Sequence, residues 1–123
     1  MRRFAPVVLL LGAACANSAT APSESVSLHN PIQATADLRF TPKETTVAVG
    51  DSVTFVFGSV EHTVEFQKGE ELQTYYGGNS SAGSPQSVGQ SSNSRAVRTF
   101  TTRGSFRYRC TIHAAMQGEI TVQ

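Results

Sequence analysis

The sequence predicts an all-β domain, an antiparallel sandwich, and three observations carry that prediction. Apolar and polar residues alternate in a series of short runs, most cleanly over 52–57, where Val53, Phe55 and Phe57 share one face. Turn residues punctuate the runs: Gly50-Asp51, Gly58-Ser59 and Gly104. No stretch of the mature domain shows a convincing helical period. Many short strands separated by turn signals pack as two facing sheets.

The runs follow in order. Residues 36–40 alternate and read as the first strand, and Thr41-Pro42 turns the chain. Strands are predicted over 45–49, 52–57 and 62–67, the last opening on His62. Residues 68–95 are harder to read. Leu72, Tyr75 and Tyr76 suit a short strand or turn, and the Ser, Gly, Gln and Asn of 77–93 have the composition of a mobile surface loop. Alternation returns over 96–101 and 104–110 and closes with 118–123.

Composition bounds the function. The chain has 123 residues, enough for one small domain, and its 39% hydrophobic content without Trp allows a modest core. A formal net charge of +1 gives no basic stripe for nucleic acid. Residues 1–16 read as an export signal: Arg2 and Arg3 open it, and the apolar run that follows is too short to span a bilayer. Two processing routes fit. Leu11-Gly-Ala-Ala-Cys15 resembles a bacterial lipobox, which makes Cys15 a lipidated N-terminus, and a Cys there otherwise has no evident use. Ala14-Cys-Ala16 is also a small-x-small site, whose cleavage removes Cys15. Either route takes the chain to the periplasm or cell surface. Residues 17–33 are rich in Ser, Ala and Pro and read as a flexible linker, with His29 a solvated member of it. The domain proper is 34–123.

The chemistry concentrates in Cys110-Thr-Ile-His113-Ala-Ala-Met116, on a tight loop between the last two predicted strands. A buried Cys or Met alone is most often core, and a lone His most often a polar strand end. Together, a thiolate, an imidazole and a thioether select a soft or borderline metal, above all copper. Two His and one Cys with a weak axial Met is the donor set of a blue-copper electron-transfer site. The second His is His29 or His62, and His62 is preferred because it opens a strand.

These residues carry a resemblance. Phe40-Thr-Pro42, the run from Val47 through Gly50-Asp51 to Phe55, His62, and the Cys110-x2-His113-x2-Met116 loop resemble the plastocyanin/amicyanin-like small cupredoxins from about Ala34 to the C-terminus. The short loop is similar to that of amicyanin. The resemblance implies a Greek-key β-sandwich of cupredoxin type, and one type 1 copper held by His62, Cys110, His113 and Met116. It also implies a monomeric carrier of single electrons, not an enzyme, with redox proteins docking transiently near His113. A copper-delivery protein without redox cycling and a nitrosocyanin-like copper enzyme are the alternatives. Glu61 stands beside His62 and bears on the second of them.

The chain departs from the family at several points. Many relatives carry Asn directly after the first His, bracing the Cys loop. Here Thr63 stands there, and the brace must be made differently. Relatives often carry Pro in the ligand loop, where this chain has Ile112, Ala114 and Ala115. Plastocyanins place an aromatic before the Cys, where this chain has Arg109. By alternation Arg107 and Arg109 point outward, and with Arg103 they are expected to form a basic rim beside His113.

Overall fold

The computed structural model describes residues 28–123. The predicted signal, Cys15 and most of the predicted linker lie outside the described residues.

Nine strands form two sheets, with a single helical turn among the described residues. The strands are β1 (Pro31–Ala34), β2 (Phe40–Thr41), β3 (Glu44–Val47), β4 (Ser52–Phe57), β5 (His62–Phe66), β6 (Val88–Ser91), β7 (Ser94–Thr99), β8 (Gly104–Arg109) and β9 (Gln117–Val122), with α1 (Gln73–Tyr76) between β5 and β6. One sheet runs β2-β1-β4-β7 and the other β3-β9-β8-β5-β6. The pairings β1–β4 and β3–β9 are parallel, because the chain changes sheet between β2 and β3 and again between β3 and β4. The remaining pairings are antiparallel.

The inward faces meet in one core. Phe40, Phe55, Phe66 and Tyr108 pack edge-on around Phe55, with ring centroids 4.8–6.4 Å apart. Phe100, Phe106 and Ile120 extend the cluster, all but inaccessible to solvent. Tyr108 sits opposite Gly118 across the β8–β9 ladder, and a Cβ at Gly118 would collide with the tyrosine ring and hydroxyl. Only glycine admits so large a side chain there.

Two sequence expectations shift and a third, left open, resolves. The first strand is 31–34, beginning within the predicted linker and crossing its end, and not 36–40. Ile32 and Ala34 are buried, while Leu38 is 43% exposed and left-handed (φ 61°). The alternation at 36–40 belongs to a turn, closed by backbone and hydroxyl bonds between Thr35 and Arg39, which returns the chain into β2. Of the strand or turn expected around Leu72, Tyr75 and Tyr76, the structure takes the turn, as the helical α1. The 77–93 segment is also more ordered than its composition implies. It contains β6, and its serines bond to the free edge of β8: Ser80 Oγ donates to the Ser105 carbonyl and accepts from the Arg107 amide, and Ser81 Oγ accepts from the Ser105 amide. Two serine hydroxyls thus complete a ladder that the β5 side leaves unpaired beyond the Gln67 amide, which still donates to the Arg107 carbonyl.

Candidate metal centre

The site lies at one end of the sandwich, where β5 begins and the β8–β9 loop crosses over it. Alternation along β8 buries Phe106, Tyr108 and then Cys110, which is 3% exposed. The loop then turns on itself. The Cys110 amide donates to the Met116 carbonyl at 2.9 Å and the Met116 amide to the His113 carbonyl at 3.3 Å. Ala115 takes the left-handed conformation (φ 65°) that closes the turn. Met116 is thereby carried back under Cys110 and buried, while Ile112, Ala114 and Ala115 remain exposed and His113 is half-buried.

His62 enters from β5 and is fully buried. The β5–β6 register slips between the pairs His62–Ser91 and Val64–Val88, two steps on one strand against three on the other. Such bulges re-aim side chains beside functional sites. Here it accompanies three consecutive buried residues, His62, Thr63 and Val64, where strict alternation predicts two.

The donor atoms converge. His62 Nδ1 lies 3.2 Å from His113 Nδ1, and His113 Nδ1 lies 3.5 Å from Cys110 Sγ. One ligand atom from each of the three residues falls within 4.8 Å of the others. Two ring nitrogens this close can share at most one proton between them. Burial pushes the His62 imidazole below its ordinary pKa, the neighbouring His113 adds to the effect, and the Thr35 backbone opposes it. A neutral imidazole is the form that offers a lone pair to a metal. His62 Nε2 is buried and closes no hydrogen bond among the described residues. Two facing imidazole lone pairs, a buried thiol and a buried thioether fit a soft or borderline ion such as copper.

Thr63 braces the site. Its amide donates to Cys110 Sγ at 3.4 Å, and its hydroxyl lies 3.7 Å from the same sulfur. The hydroxyl also accepts from the Thr111 amide at 2.7 Å and lies 2.9 Å from the Thr111 hydroxyl. The loop is therefore tied to β5 on both sides of the Cys110–Thr111 peptide.

The predicted ligands are thus brought to one place: His62, Cys110 and His113 by direct distance, Met116 by the fold of the loop. Glu61 and His29 are exposed and outside the convergent group. The His29 carbonyl instead accepts from the Thr54 amide. The basic rim does not form as expected. Arg109 pairs with Glu65 at 2.8 Å and lies over the rings of Tyr75 and Tyr76, 5.0 and 5.3 Å from their centroids. Arg107 pairs with Glu119 at 2.7 Å and reaches back to the Asn79 and Tyr76 carbonyls. Both cations are spent on holding α1 and its loop against β8, and of the three arginines expected in the rim only Arg103 is left exposed. Sequence reading placed these side chains outward but could not see Glu65, opposite Arg109 in the β5–β8 register, or Glu119, opposite Arg107 across β9.

A soft donor set assembled in advance at the end of a rigid sandwich defines a copper-binding domain of the cupredoxin class. Residues 26–123 match the model of the copper binding proteins of the plastocyanin/azurin family, and the chain belongs to that family. Solved structures agree. A reduced Cu(I) form of an amicyanin mutant is similar at TM-score 0.61 and 25% identity, covering 81% of this chain and 87% of the other. A second reduced amicyanin mutant is similar at TM-score 0.57 and 26% identity, over 77% and 82% of the two chains. The Cu-containing nitrite reductase of Thermus scotoductus SA-01 shares the fold at TM-score 0.61 and 23% identity. The alignment covers 78% of this chain but only 22% of that protein's length. No curated protein sequence matches the chain.

Proposed function

We propose that the chain is an exported electron carrier in which His62, Cys110, His113 and Met116 hold one type 1 copper. The observation that carries this reading is the convergence of the His62, Cys110 and His113 donor atoms within 4.8 Å inside a braced, largely buried site. Bound copper supplies a one-electron couple between Cu(I) and Cu(II). The chain's own residues supply the rest. β5 and the β8–β9 loop fix the donors before metal arrives, so little has to move when the charge of the site changes. Burial of His62, Cys110 and Met116 keeps water from them. His113 is the half-exposed donor, and its edge among Ile112, Ala114 and Ala115 is the route by which an electron leaves for a redox protein docked there. Carriage is favoured over catalysis because, with Met116 as the fourth donor, the proposed set leaves no open position, and Glu61 stands outside the convergent group. Export to the periplasm or cell surface follows from the character of residues 1–16, with Cys15 as the lipid anchor.

The test is the visible spectrum. Oxidised protein loaded with Cu(II) should show an intense thiolate-to-copper band, and Cys110→Ser should abolish it while the metal-free fold persists by circular dichroism. A colourless copper complex of the folded wild type overturns the assignment and favours copper delivery. Detergent partitioning of the exported chain, lost in Cys15→Ala, checks the anchor.

A further inference from the structure

We propose that Thr63 sets the electronic state of the site, through a hydroxyl proton donated to Cys110 Sγ. This rests on Cys110 being the thiolate ligand. Three groups surround Thr63 Oγ1: the Thr111 amide at 2.7 Å, the Thr111 hydroxyl at 2.9 Å and Cys110 Sγ at 3.7 Å. A hydroxyl has one proton and two lone pairs. The Thr111 amide can only donate, so it takes one lone pair. The Thr63 proton then goes to Thr111 Oγ1 or to Cys110 Sγ, because Thr63 is only 7% exposed and water is not a general alternative.

The two acceptors are not equal. A metal-bound thiolate carries negative charge, and hydrogen bonds to charged acceptors are markedly stronger than neutral ones. Thr111 is exposed and its hydroxyl can exchange partners with solvent. The consistent assignment has Thr111 Oγ1–H donating to the second lone pair of Thr63, and Thr63 Oγ1–H donating to the sulfur. The Thr63 amide already donates to that sulfur at 3.4 Å. One residue therefore supplies two donors to one thiolate.

Donors aimed at the sulfur withdraw electron density from it and favour the reduced site, where the thiolate keeps more of its charge; hydrogen bonding around the Cys sulfur tunes such potentials. Thr63 differs from a residue that merely holds the loop, because its hydroxyl acts on the sulfur itself. A change to Val keeps the amide bond to the sulfur and removes the hydroxyl with its bonds to Thr111; a change to Ser keeps both.

The experiment compares copper-loaded wild type, Thr63→Val, Thr63→Ser and Thr111→Val by redox titration, with the visible band as readout. Thr63→Val should lower the Cu(I) to Cu(II) ratio at fixed ambient potential by about tenfold, a fall of about 59 mV for a one-electron couple, and should shift the band. Thr63→Ser should restore wild-type values. Thr111→Val should leave both unchanged, since the Thr63 proton already lies on the sulfur. A rise in potential in Thr111→Val would mean that the proton had been held by Thr111, and overturns the proposal even where Thr63→Val fails to fold. Wild-type potential in a folded Thr63→Val overturns it too, as do equal shifts in Thr63→Val and Thr63→Ser. Absence of the band in wild type would instead refute the ligand assignment beneath it.

Discussion

At Met116 the side chain is buried and its backbone is bonded on both sides of the loop, so the residue has a folding role apart from any bond its sulfur makes. A thioether is a weak, long axial donor in sites of this type. Met116→Leu keeps volume and loop geometry, and volume-conserving apolar swaps typically cost under about 1.5 kcal/mol. It should therefore retain copper and raise the reduction potential. Loss of copper on dialysis of that variant would show that the sulfur holds the ion in place. Tyr108 raises a different question. Its hydroxyl is buried and has no hydrogen-bond partner among the described residues, and burial pushes its pKa upward. An unsatisfied buried hydroxyl costs about 1–3 kcal/mol. Tyr108→Phe should raise the unfolding free energy of the metal-free protein in urea by about 1 kcal/mol; a clear loss would reveal a partner for the hydroxyl.

At the scale of elements, β8 organises both the site and its surroundings. Its inward residues build the core and end on Cys110. Its outward arginines seat α1, Arg109 through Glu65, Tyr75 and Tyr76 and Arg107 through Glu119 and the 76–79 backbone. The Tyr76 hydroxyl joins the same Glu65 carboxylate at 2.7 Å. The Arg109 and Glu65 side chains are 24% and 38% exposed, so solvent screens the pair. A double-mutant cycle of Arg109→Gln and Glu65→Gln should give a coupling of about 0.5–1 kcal/mol in the metal-free protein. A coupling of zero would leave only the stacking on the tyrosines. The serine segment makes a sharper prediction. Ser80→Ala and Ser81→Ala should accelerate hydrogen exchange at the Arg107 and Ser105 amides respectively, because each removes the acceptor of that amide. Unchanged protection would mean that these edge bonds do not form in solution.

Over the whole molecule, the two sheets act as a frame that delivers donors from distant parts of the chain to one end. His62 and Cys110 are 48 positions apart, joined through Thr63, whose hydroxyl is bonded to Thr111. Pairing of Arg107 and Arg109 with carboxylates leaves the surface around His113 without the expected cationic rim. Its exposed members include the apolar Ile112 and Tyr75, 41% and 58% exposed. Electron exchange with acidic and basic redox proteins should accordingly depend little on salt, since screening over roughly 8–10 Å acts on unpaired surface charge. A steep fall of the second-order rate with salt for acidic partners alone would restore the basic rim.

What the sequence determined by itself was the material that repeats or clusters locally. Alternation exposed β4, β5, β8 and β9, because the period of a half-buried strand is written in adjacent residues. Cys110, His113 and Met116 were legible as a donor set because one loop carries them, and His62 because it opens a strand. Tertiary structure alone decided the rest. It placed the first strand at Pro31 by pairing it beside β4, and made a turn of 36–40, whose alternation had read as the first strand. It drew the serine segment onto the edge of β8, a contact no composition encodes. It gave Thr63 its place against Cys110 and Thr111, and paired Arg109 with Glu65 and Arg107 with Glu119, because partners across a sheet are chosen by register. Register follows from how two faces bury their apolar residues together, and that is a property of the packed pair.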